Sequence, residues 1–354
     1  MSLQRPNHHL IDLLKILAAQ CIVLHHFAAY GPLSQAAAQV TPELIEWLYD
    51  YARIAVQVFL VVAGYLAARS LGQSTLQTQG LLRTLRHRFE RLVLPFVAAL
   101  LITVLCSAVA RPLLEGDLVP NAPSLAQWLA HASLLHSVLG VDSLSAGVWY
   151  VAIDFQLYAM LALLLWPMSH HRWVSRALTA AMAVASLTWF NLDADYDVWA
   201  IYFFGAYGLG ALAWWAGLRA HHSSYARALL LGTIAVGIGS LVLEFRERIA
   251  LALTVSSVLV VFGGAQLRLP PRVGSVVRKL SSSSYALFLV HFSVLLLVNA
   301  LWSVLGLEYD ELAFAFLFVA WASSILLSYI FHVQVEQRIA QWGAGRHHGQ
   351  PTPY

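Results

Sequence analysis

Charge is the scarcest commodity in this sequence. Of 354 residues only 18 are Asp or Glu and 21 are Lys or Arg, so charged side chains make up 11% of the chain, against roughly 25% in an average soluble domain. With 59% apolar residues, that scarcity excludes an ordinary water-soluble domain. Cysteine is nearly absent too. Cys21 and Cys106 are the two present, and both fall inside apolar runs, which excludes a disulfide framework and leaves packing as their expected role. No internal repeat or long linker shows in the sequence, and no appended soluble domain is expected. The first apolar run ends in no small-residue cleavage site and is long enough to span, so it is expected to stay in place as an anchor.

What is present is a series of apolar runs. A hydrocarbon core of ~30 Å takes about 20 helical residues, and ten runs of about that length recur, at 11–30, 52–69, 92–110, 147–168, 174–190, 199–217, 227–243, 249–267, 284–305 and 312–332. A weaker run at 125–139 carries His131 and His136 and is read as interfacial or re-entrant. The connections alternate in sign. Arg83, Arg86, Arg88 and Arg91, then Arg172, then Arg219, then Arg268, Arg272, Arg278 and Lys279 mark one side. Glu43, Glu46 and Asp50, then Glu115, Asp117 and Asp142, then Asp193, Asp195 and Asp197, then Glu308, Asp310 and Glu311 mark the other. Basic loops stay cytoplasmic. With Arg5 before the first run and Arg338 and Arg346 after the last, the expectation is an all-α, polytopic transmembrane bundle with about ten spans and both termini cytoplasmic. Residues 1–340 form one membrane domain and 341–354 a short cytoplasmic tail, in a bacterial inner membrane. The sequence pI of about 8.9 then describes a basic inner face suited to anionic lipid or an anionic cytosolic ligand, with no nucleic-acid role.

Ionisable residues inside such runs cost about 2.5–3.5 kcal/mol at the helix centre and usually face a bundle interior or a water-filled cavity. The first run holds Asp12, Lys15, His25 and His26. Asp12 and Lys15 share a helix face, as a local ion pair with Lys15 snorkelling or as functional groups. His26 lies about 16 Å further along at 1.5 Å per residue. An imidazole there can take a proton from a hydroxyl and return it. A histidine simply hydrogen-bonded to a neighbouring helix is the competing reading, for His25 as well. The fourth run supplies a polar stripe, Tyr150, Asp154 and Tyr158, at four-residue spacing, with Trp149 and Gln156 beside it. Asp154 is expected at the depth of His26 and able to orient it. A stripe that only glues helices together stays open.

Two further stretches carry chemistry. The Arg83–Arg91 segment offers guanidinium forks suited to phosphate oxygens. It also suits lipid headgroups, at ~1 kcal/mol per basic residue. Together with a buried His–Asp pair, it makes a phosphate-bearing donor such as a coenzyme A thioester a candidate. The ninth run opens Ser281-Ser-Ser-Ser-Tyr285 and places His291 about two turns inside, as a helix contact or a second functional imidazole.

These stretches resemble the acyltransferase-3 family of integral membrane acyltransferases. Lys15 and His26 have the spacing of the family's Arg, ten residues, His. Val58 to Tyr65 is similar to its FF-V-L-S-G-F pattern, and Arg88, Arg91, Leu92 and Pro95 to its R-x-x-R-L-x-x-P. Trp149 through Tyr158 looks like W-S-L-x-V-E-E-Q-F-Y-L, with Asp154 for the first Glu and Phe155 for the second. Ser284 to His291 looks like S-Y-x-L-Y-L-x-H. Lys15 stands for the family's Arg, and Gln57 where Asp is common. The resemblance implies acyl transfer, commonly acetyl, from cytosolic acetyl-CoA or another acyl-CoA to a hydroxyl of a glycan or glycolipid at the outer face, with no metal. His26 is the expected general base, Asp154 its orienting group, and Tyr150 or Tyr158 the oxyanion donor. Lys15, Arg86, Arg88 and Arg91 are expected to hold the coenzyme phosphates, and His25, Trp149, Gln156 and His291 to line the acceptor site. The rival function is a proton-coupled transporter or flippase of a lipid-linked sugar, in which the same His and Asp bind protons. The lack of an inverted repeat speaks against it.

Overall fold

The computed structural model describes residues 9–72, 80–114, 118–167, 171–217, 224–264, 267–307 and 309–345, and every regular element among them is helical. In chain order these are α1 (His9–Ala29), α2 (Pro32–Val40), α3 (Pro42–Tyr51), α4 (Val56–Ser70), α5 (Leu81–Ala110), α6 (Leu125–Ala132), α7 (Trp149–Leu165), α8 (Arg172–Thr188), α9 (Ala200–Gly217), α10 (Ser224–Leu243), α11 (Glu247–Phe262), α12 (Pro271–Ser282), α13 (Ser284–Leu305), α14 (Leu312–Phe331) and α15 (Gln337–Gly345). Each of the ten apolar runs falls on a helix. Six helical stretches are long and apolar enough to cross a membrane: His9–Ala29, Pro42–Ser70, Leu81–Ala110, Ser224–Leu243, Ser284–Leu305 and Leu312–Trp342. The protein is accordingly an integral membrane protein.

The other four expected spans are shorter helices. α7, α8, α9 and α11 have 17, 17, 18 and 16 residues, or about 24–27 Å at 1.5 Å per residue. The crossing stretch that contains α4 begins earlier than expected, at Pro42, because α3 and a 3-10 turn at Ala52–Ala55 run into it without a break. The weaker run at 125–139 is α-helical only as far as Ala132. Of the residues used to read orientation, Arg5, Glu115, Asp117, Arg219, Glu308 and Arg346 lie outside the described residues, as does most of the expected C-terminal tail.

The chain divides into two compact units. The first comprises Met1–Ala18, Arg53–Arg88 and Trp149–Ser281, and the second Ala19–Ala52, Phe89–Val148 and Ser282–Tyr354. Helix α9 is the centre of the first. It is apolar on every side and buried along almost its whole length, which only an interior position satisfies. Its glycines set how closely neighbours approach. A Cβ on Gly210 would stand 1.9 Å from the Val61 carbonyl oxygen, and one on Gly64 of α4 would stand 1.9 Å from that of Tyr207. Backbones of α4 and α9 therefore touch, the small-residue contact that membrane helices use in place of a hydrophobic driving force. On the α8 side, Ser186 Oγ donates to Tyr202 O (3.0 Å) and accepts from Gly205 N–H (2.8 Å). At the start of α9 the Gln156 Oε1 of α7 accepts from Ala200 N–H at 3.0 Å, satisfying one of the donors a helix N-terminus leaves free.

In the second unit α13 carries the interior polar ties. Asn299 is fully buried; its Oδ1 accepts from Leu33 N–H at 3.0 Å and its Nδ2 donates to Leu295 O at 2.9 Å. It thereby caps α2 from another helix. Gly31, at φ +93°, makes the turn that brings α2 there, and a Cβ on it would lie 2.3 Å from that same Oδ1. Thr103 and Ser293 share a hydrogen bond of 2.9 Å, and Trp321 Nε1 donates to Gln20 Oε1 at 2.7 Å. Around Asn299 the apolar cluster of Ala28, Leu33, Ala37, Ile45, Trp302 and Ala313 closes the unit.

Gly210→Ala should destabilise the detergent-solubilised protein by about 1–3 kcal/mol, because the added methyl meets backbone that cannot yield. Gly232→Ala, where a Cβ meets nothing within 4 Å, should be neutral or gain up to about 1 kcal/mol from reduced unfolded-state freedom. Thermal melts of the two variants check the contrast.

Candidate active site

The second unit brings three histidines together. His26 lies in the last turn of α1 and His291 two turns into α13. His291 Nδ1 is 3.0 Å from Leu287 O, one helical turn back. A carbonyl oxygen only accepts, so Nδ1 carries the hydrogen and neutral His291 presents a lone pair at Nε2. That nitrogen is 2.6 Å from His26 Nδ1. His26 must then donate from Nδ1, which leaves its own Nε2 deprotonated, with no hydrogen-bond partner among the described residues. The rings lie 4.9 Å apart and within 6° of parallel. His26 is 7% exposed and His291 0%. The pair is shielded, and its tautomers are fixed by one backbone carbonyl.

The surroundings keep the pair tight on most sides. The Tyr30 ring is 5.7 Å from His26, and the His25 ring is 5.2 Å away on the other side. His25 Nδ1 is directed at Leu48 O (3.3 Å), and its ring meets Tyr49 at 5.9 Å, so His25 ties α1 to α3. Gly147, at φ +76°, closes on the pair: a Cβ there would lie 3.2 Å from His26 Cε1 and from the Phe288 ring. Only glycine offers both that backbone angle and that clearance.

The first unit holds a separate polar cluster. Arg88 Nη2 donates to Asp154 Oδ2 at 2.5 Å, and the guanidinium lies 5.0 Å over the Tyr158 ring. The Asp154 side chain is 7% exposed and that of Arg88 26%. Arg88 Nε and the hydroxyl of Tyr207 are enclosed without hydrogen-bond partners among the described residues. Tyr150 packs on Phe59 at 6.0 Å, and Trp149 stacks on Phe203 at 5.4 Å. Gln156 is committed to the α9 N-terminus, as described above. Lys15 Nζ donates to Ser281 O at 2.9 Å, while Ser281 Oγ donates to Asp12 Oδ1 at 2.7 Å. Arg86 and Arg91 are exposed.

Of the residues singled out in the sequence, the structure gathers His25, His26 and His291 in one place and Arg88, Asp154 and Tyr158 in another. The ring bond of His26 goes to His291, and the ion pair of Asp154 goes to Arg88. Tyr30, Gly147 and Tyr207 were not singled out. Tyr30 was legible, being four residues after His26 and so on its helix face. Gly147 and Tyr207 owe their importance to contacts distant in sequence, for which no local signal exists.

A membrane-embedded helical protein with a shielded imidazole pair and a largely enclosed Arg–Asp pair falls in the class whose ionisable groups within the membrane are candidates for function. Within that class the match is specific: residues 8–333 fit the family model described as an acyltransferase domain, and the chain belongs to the acyltransferase-3 family. Acyl transfer is the activity this membership implies. No curated protein and no solved structure matches the chain.

Breaking the Arg88–Asp154 pair from one side strands a buried charge, which costs about 3–5 kcal/mol, whereas replacing both partners by apolar residues of similar size is often near neutral. Asp154→Asn should therefore lower the melting temperature sharply. Arg88→Met combined with Asp154→Leu should recover most of the loss, as a double-mutant cycle will read.

Proposed function

We propose that this protein is a membrane-embedded O-acyltransferase of ten spans with both termini inside, in a bacterial inner membrane. It moves an acyl group, acetyl foremost, from cytosolic acyl-CoA to a hydroxyl of a glycan or lipid-linked sugar at the outer face. The observation that supports it most strongly is the hydrogen bond between His26 and His291, which leaves His26 Nε2 as a free, shielded base. In this reading His26 Nε2 takes the proton of the acceptor hydroxyl, and the alkoxide oxygen attacks the thioester carbonyl carbon. As the C–S bond breaks, the proton returns from Nε2 to the departing thiolate. His291 holds the neutral tautomer and spreads the positive charge of the intermediate imidazolium, the task a carboxylate performs in His–Asp systems.

The phosphates of the donor are assigned to Lys15, Arg86, Arg88 and Arg91, with Asp154 and Tyr158 fixing the plane of the Arg88 guanidinium. Tyr150 or Tyr158 is the oxyanion donor of this reading, and His25, Trp149 and Gln156 are assigned to the acceptor side. A single membrane domain over residues 1–340 carries the whole reaction.

His26→Ala protein that inserts and melts normally should transfer radiolabelled acetyl from acetyl-CoA about 10²–10⁴-fold more slowly, the usual worth of a positioned base. His291→Gln, which keeps an acceptor for Nδ1–H, should lose far less than His291→Leu. Transfer at the native rate by His26→Ala would overturn the reading. The assay is run in detergent, where thioester-dependent modification proceeds and coupled transport does not, so it also separates an enzyme from a transporter.

A further inference from the structure

A second histidine pair lies in the connection between α5 and α7, within the second unit. Helix α6 ends at Ala132, and Leu134, at φ +59°, turns the chain back so that His136 stacks on His131 with ring centroids 4.3 Å apart and planes within 8°. Leu134 is 2% exposed. A left-handed leucine is strained by its Cβ and persists only where its surroundings over-determine it. Both imidazoles are fully buried, and the Phe96 ring lies 6.5 Å from each.

The two rings are bonded very differently. His131 Nδ1 is 2.8 Å from Gln127 O, and its Nε2 accepts from Leu144 N–H at 3.2 Å. It is thus a neutral Nδ1–H tautomer, and it pins the strand of chain that leads to Gly147, which lies against His26. His136 has neither ring nitrogen hydrogen-bonded among the described residues. Protonating His131 would remove the acceptor that holds Leu144. Protonating His136 would place a cation where no group among the described residues accepts its hydrogens. Among the described residues, His131 is the titratable group that faces His136, and no carboxylate acts on either ring.

We propose that the His131–His136 stack is a proton-sensitive clamp, closed when both rings are neutral, that holds segment 133–148 and with it Gly147 against the active imidazole pair. The clamp itself stands on this geometry, and its effect on catalysis rests on the reading of His26 given above. Burial pushes the His136 pKa down to about 4, with the neighbouring His131 adding to it, and burial also lowers that of His131. The released form therefore binds protons first. The closed form keeps its full stability above pH ~6.5 and loses it as pH falls from there toward about 4. Acid on the side where this segment lies loosens the cover of the site.

Hydrogen exchange on the full-length protein in detergent, expressed as protection factors for 133–148, tests this. In the wild type, protection should fall about tenfold or more between pH 7.5 and pH 5. In His136→Phe the fall should be several-fold smaller, because the new ring stacks and does not titrate and only the part carried by His131 is left. That variant should be as stable as the wild type or more so at pH 7.5, since it removes two unpaired buried nitrogens. His131→Asn, which retains one donor and one acceptor, should likewise lose less protection in acid than the wild type, keeping the part that His136 carries. A wild-type protection that ignores pH, an equal fall in His136→Phe, or a marked loss of stability in His136→Phe at pH 7.5 would each overturn the clamp. Acetyl transfer measured alongside, at pH 7.5 and 5.5, should lose less activity in His136→Phe than in the wild type. An acid loss of transfer identical in the two would overturn the clamp's control of the site while leaving the assignment of His26 standing.

Discussion

The hydrogen bond from His26 Nδ1 to His291 Nε2, 2.6 Å long and closed off from solvent, constrains everything else at the site. It can form in the neutral state in only one sense, because the Leu287 carbonyl has already taken the one ring hydrogen of His291. A carboxylate in the same place would orient His26 equally well, but it would bring a charge into the bilayer that has to be neutralised. A second imidazole orients without charge. For a base that must stay unprotonated in a low-dielectric interior and yet accept a proton transiently, a neutral partner that can share the charge is the less costly arrangement.

The same economy of charge runs through the rest of the fold. Interior polar groups are mostly uncharged and are matched pairwise: Asn299 with the α2 N-terminus, Thr103 with Ser293, Gln20 with Trp321, and Gln156 with the α9 N-terminus. Where a full charge is enclosed, at Asp154, an Arg fork meets it at 2.5 Å. Helix contacts that would be driven by apolar burial in water are made here by backbone touching backbone at Gly64 and Gly210. Close backbone packing and these polar ties together make the helices specific to one another.

The helices were legible in the sequence because an apolar run must satisfy its own backbone in lipid, and each of the ten runs is helical. Their lengths were less so. α7 and α11 stop at 17 and 16 residues, since glycine or proline near a run's end counts little in an average of hydropathy yet ends a helix. At the site, residue identity was legible but pairing was not. His26, His291 and Asp154 each stand out as polar groups in apolar surroundings, and Arg88 as part of a basic segment, both local properties. That His26 meets His291, 265 residues away, and Asp154 meets Arg88, 66 residues away, depends on which helices pack together, and a periodicity of 3.6 carries no record of it. In the sequence His131 and His136 are simply two residues of a weak apolar run that reads as interfacial or re-entrant. Their stacking follows from the left-handed turn at Leu134, which leucine gives no reason to expect.

The most direct test of this account is the protonation pattern of the His26 ring. Nitrogen-15 spectra of histidine-labelled protein at neutral pH, assigned by comparison with His26→Ala, should show His26 with a protonated Nδ1 and a bare Nε2, and His291→Leu should release that preference. A His26 ring protonated at Nε2 in the resting protein would leave no base where one is required, and would contradict the account at its root.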